Sequence, residues 1–420
     1  MTTTSSQHAS EFKFGWTVVL AAAFGVGAGV TGVNTYSLGV FLGPLSDEFG
    51  WSRMETSAAK TFLTLGYVLT APFIGYIVDR FGPRKIGLAS MATFAIAALA
   101  MTQMNGSITI YYLAYFLLAL AGCATTPLVW TRGVATWFQS KRGLALGLTL
   151  TGSGVAGIIT PPLIGGLIDS NGWQAGYVGM AVLAALAIIP IYLLFFENRH
   201  DHKASPEKPA TVRPYVAQSG FEIRDVLKSR RFWQIGLAFA LIGGSVSALV
   251  VHLIPMLTDS GVSRDVAVRY AGLIGAAVIA GRLATGYLVD RFHPPYVAGT
   301  FLILPAIGCG LLATGALSPP FVLAAAITFG LAAGSEVDLV PYLAARYFGL
   351  KSYGKVYGWM FVLFYAGVGI GPLFLGRMFD VYGNYTFALT IIMPVLAAGA
   401  LAIALLGKPP KFEKRILAVF

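Results

Sequence analysis

Twelve predominantly apolar stretches, nearly all long enough to cross a lipid bilayer, take up most of this chain. They run over 16–43, 54–78, 86–103, 108–136, 143–168, 174–196, 232–258, 265–289, 297–316, 320–345, 354–376 and 384–406. A hydrocarbon core about 30 Å thick takes about 20 residues of helix, and inside it each backbone N–H and C=O must be satisfied within its own segment. The pattern therefore predicts an all-α integral membrane protein with twelve transmembrane helices. Charged residues make up 11% of the 420, against about 25% in soluble domains. The 50 glycines agree, because small residues let membrane helices approach closely.

One polar linker, 197–231, carries Pro206, Pro209 and Pro214 and separates the sixth run from the seventh. The predicted organisation is a tail over 1–15, a six-helix bundle over 16–196, the linker, a second bundle over 232–406 and a tail over 407–420. With tails and linker on one side, that side holds 22 of the 29 Lys and Arg, and the other holds Arg53, Arg264, Arg269 and Arg377. The positive-inside rule makes the first side cytoplasmic. The expectation is a multi-pass protein of a bacterial-type inner membrane, both termini inside.

The net charge of +11 is thus topological. No basic stripe with interleaved aromatics suggests nucleic acid. The polar start, Met1 to Phe14, leads into an apolar run without a small-residue cleavage site and reads as a cytoplasmic tail. Cys123 and Cys309 sit in separate apolar runs and suggest neither disulfide nor metal. No nucleophile–base pair, metal cluster or phosphate loop is visible, so an enzyme and a cofactor are not expected.

The two bundles repeat one another. Gly75-Tyr-Ile-Val-Asp-Arg-Phe81 returns as Gly286-Tyr-Leu-Val-Asp-Arg-Phe292, an offset of 211. The same offset carries Pro44 to Pro255, Arg53 to Arg264, Gly147 to Gly358, Pro161 to Pro372, Asp169 to Asp380 and Gly172 to Gly383. Parallel repeats of this kind build transporters whose substrate site lies near the midplane between the halves.

The stretch Gly75 to Lys85 resembles the loop 2–3 signature of the major facilitator superfamily. Phe14-Gly-Trp-Thr-Val-Val19 and Trp137-Phe-Gln-Ser-Lys-Arg-Gly-Leu-Ala-Leu-Gly147 resemble helix 1 and helix 5 motifs of the monocarboxylate porter family. The oxalate–formate antiporter group carries similar stretches. The resemblance implies a central cavity between the two bundles, alternating access and a conformational latch at the cytoplasmic helix ends. Its members here would be Gly75, Asp79, Arg80, Gly82, Arg84 and Lys85, with Asp290 and Arg291 from the second copy. That copy has His293, Pro295 and Tyr296 where the first has Gly82, Arg84 and Lys85.

Charges that are not repeated point to the chemistry. Lys60, Arg132, His252, Arg282, Glu336 and Asp338 lie inside apolar runs, where ionisable groups are expensive and functional by default. Arg282 precedes Asp290 by eight residues, which puts it about 12 Å from the cytoplasmic helix end. A guanidinium grips a carboxylate bidentately, and the resembling families bind the substrate carboxylate through an arginine in this helix. The alternative is permanent pairing with Glu336 or Asp338. These two acids lie about 200° apart around their helix, so one faces the cavity and the other a neighbouring helix. Animal-type monocarboxylate porters place an aspartate one turn before the arginine, where this chain has Val278. A proton carrier is therefore expected in Glu336, Asp338 or His252, though His252 reads more readily as a satisfied structural histidine. Lys60 is a cavity candidate, and Arg132 belongs either to the site or to the latch. Asn34, Tyr36, Trp130, Tyr342 and Tyr365 are candidate wall residues.

The expectation is a monomeric carrier of small organic monocarboxylates, coupled to protons. The stretch Phe361 to Gly367 lacks the lysine that oxalate–formate antiporters carry there, which disfavours a dicarboxylate. An organic anion exchanger and a non-transporting sensor are the alternatives.

Overall fold

The computed structural model describes residues 4–138, 142–195, 220–314, 318–349 and 351–410. Its first half comprises α1 (Thr4–Ala28 and Val30–Phe49), α2 (Ala59–Phe81), α3 (Pro83–Ala100), α4 (Ile108–Gly122 and Pro127–Trp137), α5 (Arg142–Asn171) and α6 (Trp173–Leu194). The second comprises α7 (Arg230–Asp259), α8 (Arg264–Val289), α9 (Pro294–Ala313), α10 (Pro319–Phe348), α11 (Tyr353–Tyr382) and α12 (Thr386–Ala404). Eleven of these stretches are long and apolar enough to cross a membrane. The 23-residue α2 completes the twelve-helix architecture.

The packing repeats as the sequence does. In the first half α1 lies on α5, α2 on α4 and α3 on α6. In the second, α7 lies on α11, α8 on α10 and α9 on α12. Each pair maps onto its counterpart by the same shift of six helices. The repeated motif forms a sharp turn in its first copy. Gly82 ends α2 at φ 84°, a conformation costly for residues with a Cβ, and Pro83 opens α3 at a position that needs no N–H donor.

Two helices are discontinuous at matching depth, which the hydropathy pattern hides. α1 breaks at Gly29, and α4 breaks over the 3₁₀ turn Cys123–Thr125. The breaks satisfy each other: Val30 N donates to Thr125 Oγ1 at 2.9 Å, and the Thr125 hydroxyl donates to Gly122 O at 2.7 Å. Trp130 seals this region. Its indole N–H donates to Thr125 O at 3.0 Å, and its ring lies against Gly25 of α1 and Gly87 of α3, where a Cβ would clash.

The halves meet through α1 with α7, α2 with α11 and α5 with α8. The α5–α8 contact is backbone on backbone: a Cβ on Gly275 would stand 2.3 Å from Ile158 N and 2.5 Å from Gly154 O. Every hydrogen bond or ion pair joining the halves between described residues lies at Arg282 or nearer the end away from the chain termini. At the terminal end, the later part of the linker is pinned to α10 by Phe221 N donating to Phe348 O at 3.0 Å. Lys351 lies 2.8 Å from Glu222 and holds its carboxyl below the usual range.

Candidate functional site

The halves are locked at one end by residues that the repeat duplicates. Arg53 N and Met54 N each donate to the Asp380 carboxylate at 2.8 Å. Asp380 thereby sits at the N-terminus of the short helix Arg53–Ser57, where the helix dipole favours an anion. Its counterpart Asp169 pairs with Arg264 at 2.6 Å. Arg53 and Arg264 are themselves a repeat pair, so the contacts run in both directions across the pseudo-twofold axis. Arg53 also reaches Asp259 at 2.8 Å, and Arg264 donates to Val40 O at 2.7 Å.

His252 belongs to this lock. Ser57 Oγ donates to Arg53 O at 2.6 Å, so it meets His252 Nε2, 3.0 Å away, as an acceptor. Nε2 also lies 3.0 Å from Pro372 O, which can only accept, and Nδ1 lies 3.2 Å from Tyr385 Oη. A neutral ring protonated at Nε2, accepting from Tyr385, satisfies every contact. His252 is fully buried, and its contacts do not include Arg282, Glu336 or Asp338.

Nearer the middle, Arg282 is 7% exposed. Its Nε stands 2.8 Å from Asp338 Oδ2, an ion pair without an aligned hydrogen bond. Nη1 donates across the interface to the carbonyl of Leu150 on α5 and to Ser153 Oγ at 3.2 Å. Arg282 thus joins α8, α10 and α5. Glu336, two residues before Asp338, is buried, and its Oε2 has no hydrogen-bond partner. Tyr36 of α1 lies within Coulombic range of Arg282 and Glu336, and Tyr365 of α11 within range of Glu336. Tyr67 of α2 meets Tyr365 edge to face at 6.3 Å, with its buried hydroxyl unpartnered.

The sequence-predicted candidates therefore divide. Arg282 and Asp338 are in contact, and Tyr36, Glu336 and Tyr365 lie near enough to interact electrostatically within the same region. Lys60 is buried, with Nζ 3.2 Å from Thr35 Oγ1. Asn34 is buried on α1, its Oδ1 unpartnered. Trp130 is a wholly buried packing residue rather than a wall residue. Tyr342 is half-buried towards the terminal end, donating to Val289 O at 3.2 Å.

Among the latch candidates, Arg84 donates to Tyr192 O and lies over the Tyr192 ring. Arg80 covers Phe81, and Arg291 covers Tyr287. Lys85 lies in the first turn of α3, Asp290 is the C-cap of α8 and Arg132 is exposed on α4. The Asp79 side chain and the surroundings of Gly75 lie outside what the structure describes.

Sequence reasoning missed Tyr67, Ser153 and the lock. A cavity of about 620 Å³ between α1, α5 and α6 is lined by Trp16, Phe24, Val155, Leu186 and similar residues, with no charged side chain. Its half-exposed rings and aliphatic chains mark a lipid-facing groove, so it is not the anion site.

Comparison with known proteins agrees with this architecture. The family model described as Major Facilitator Superfamily matches residues 24–372. Monocarboxylate transporter 11 of Mus musculus is 27% identical over 92% of this chain and 86% of its own length. Monocarboxylate transporter 13 of Bos taurus is 27% identical over 92% and 88%. Among solved structures, a D-xylose–proton symporter superposes with a TM-score of 0.69 at 14% identity, covering 93% of this chain and 97% of its own. A bacterial homologue of the lysosomal transporter Spinster gives 0.66 at 17%, with 94% of each chain covered.

Proposed function

The chain belongs to the Major Facilitator Superfamily and is a multi-pass membrane transporter, and from that premise we propose that it carries small organic monocarboxylates in symport with protons. The observation that carries the proposal is the ion pair between buried Arg282 and half-buried Asp338. The names of the monocarboxylate transporter relatives support the substrate class.

Charge balance supplies the coupling. In the empty carrier Asp338 neutralises Arg282. A substrate carboxylate competes for the same guanidinium, and a proton on Asp338 releases it. With Glu336 protonated throughout, the loaded cluster of Arg282, carboxylate and protonated Asp338 is again neutral. Substrate alone or proton alone leaves one net charge in a buried site, which is costly. Only the empty and the doubly loaded forms reorient cheaply, and that is symport. Because the empty carrier is already neutral, its return is not barred, which favours symport over obligatory exchange. With the termini cytoplasmic, the locked end faces outward and the cluster is reached from inside. The protein then works as a monomer in the inner membrane.

The test is uptake of labelled monocarboxylates into proteoliposomes. One arm has an inward proton gradient and an empty lumen; the other has no gradient and a preloaded lumen. Gradient-driven accumulation, abolished by an ionophore and by Arg282→Gln, is expected. Uptake only into preloaded vesicles would refute symport and favour the exchanger.

A further inference from the structure

One face of α11 is aromatic. Tyr353, Tyr357, Phe361 and Tyr365 recur every four residues, the spacing that puts side chains on one face of a helix. They form a continuous ladder. Tyr353 and Tyr357 are parallel at 6.0 Å, Tyr357 meets Phe361 at 6.1 Å and Phe361 meets Tyr365 at 4.2 Å. At 1.5 Å per residue the ladder climbs about 18 Å, from the terminal end of α11 to the level of Glu336.

The other faces of α11 have different partners. Val356, Met360, Phe364 and Val368 are buried, and Phe364 packs on Gly243 of α7. Trp359, Val362 and Ile370 are exposed as lipid-facing residues are. The ladder is half-buried throughout. It looks into the molecule, since Tyr357 lies within Coulombic range of Asp338 and Tyr365 meets Tyr67 of the opposite half. At its upper end stand the two orphaned polar atoms, Tyr67 Oη and Glu336 Oε2. A buried polar atom without a partner is unfavourable, and a ligand polar group would relieve it.

We propose that the monocarboxylate is an aromatic one, its carboxylate at Arg282 and its ring against the α11 ladder. This rests on the monocarboxylate reading above and narrows it. Aromatic rings prefer edge-to-face or offset partners with centroids 4.5–7 Å apart, which is the spacing the ladder already uses. A two- or three-carbon acid has no surface to match such a wall. An oxo group beside the carboxylate would accept from Tyr67 Oη, and a hydroxyl there would donate to Glu336 Oε2.

The test compares labelled phenylpyruvate and pyruvate in the full-length protein in proteoliposomes. Phe361→Leu and Tyr365→Leu are the variants, since both keep apolar bulk, and Tyr365→Phe is the conservative control. Phenylpyruvate should exceed pyruvate in kcat/KM. Each leucine variant should raise the phenylpyruvate KM roughly two- to tenfold and lower the phenylpyruvate-to-pyruvate ratio, and Tyr365→Phe should largely restore it. Pyruvate carried as well as phenylpyruvate, or leucine variants that slow both acids equally, would overturn the aromatic assignment and leave monocarboxylate transport standing. If neither these nor other monocarboxylates enter by an Arg282-dependent route, the monocarboxylate reading itself fails.

Discussion

On the proposed mechanism, replacing Asp338 by asparagine should turn proton-coupled symport into exchange. The side chains have nearly the same shape, so the change removes a charge and little else. In the native protein Asp338 Oδ2 lies 2.8 Å from Arg282 Nε, with Arg282 7% and Asp338 32% exposed. Two unit charges about 4 Å apart attract by about 4 kcal/mol at an effective dielectric of about 20. Solvent at the third-exposed carboxylate screens much of this, leaving roughly 1–2 kcal/mol for an incoming carboxylate to overcome. Freed of that competitor, Arg282 should bind substrate about five- to thirtyfold more tightly.

The pH dependence follows in sign. On the proposed mechanism a proton on Asp338 accompanies the anion, so apparent affinity should rise as pH falls and weaken as pH rises. In the asparagine variant the dependence flattens. The empty variant carries an unbalanced Arg282 and returns slowly, whereas the loaded variant is neutral. Counterflow into preloaded vesicles should therefore survive, and proton-driven accumulation should vanish. Equilibrium binding across a pH series, together with the two uptake arms, reads all three effects. Native-like accumulation by Asp338→Asn, or an unchanged pH slope, would refute the charge-balance reasoning. The same phenotype from Glu336→Gln instead would move the proton to the other acid.

Two further changes probe the outer lock. Asp169→Asn combined with Asp380→Asn removes two repeat-related contacts; such contacts are worth about 1 kcal/mol each, so the open population should grow several-fold to about thirtyfold. A single cysteine placed at Thr61, which donates to Gly369 O across the interface, should then alkylate faster from the outside; an unchanged rate would show that these carboxylates do not hold the gate. Gly275→Leu puts side-chain atoms where α5 backbone lies, since even a Cβ would sit 2.3 Å from Ile158 N. Folded protein with lost uptake and longer spin-label distances between α5 and α8 is expected, and normal uptake would exclude close α5–α8 approach as part of the cycle.

What the sequence reveals here depends on whether a feature costs energy in a membrane. A hydrophobic run must be long enough to span, so the twelve helices are legible from composition alone. Arg282 is legible because a guanidinium among Ile279, Ala280 and Leu283 has no inexpensive reason to be there. Its partner is not. The angular argument separates Glu336 from Asp338 by about 200°, but which of them meets Arg282 depends on how α8 crosses α10. His252 and Trp130 mislead for a related reason. Both look like site residues by type, and both spend their polar atoms on the scaffold, His252 on Ser57, Pro372 and Tyr385, and Trp130 on Thr125.

The lock shows where reasoning from the repeat stops working. Subtracting one half from the other isolates what is unique and so finds Arg282, Glu336 and Asp338. It also discards Arg53, Arg264, Asp169 and Asp380 as scaffold, because they are duplicated. A contact between two halves related by a twofold axis tends to be duplicated, since a residue that reaches across in one direction has a counterpart reaching back. The ion-pair contacts between the halves are therefore written in the repeated residues, and the proposed binding chemistry in the unrepeated ones. Arg282 belongs to both. It holds Asp338 within its own half and the Leu150 carbonyl and Ser153 in the other, so a carboxylate that takes the guanidinium also acts on a contact that keeps α5 and α8 together.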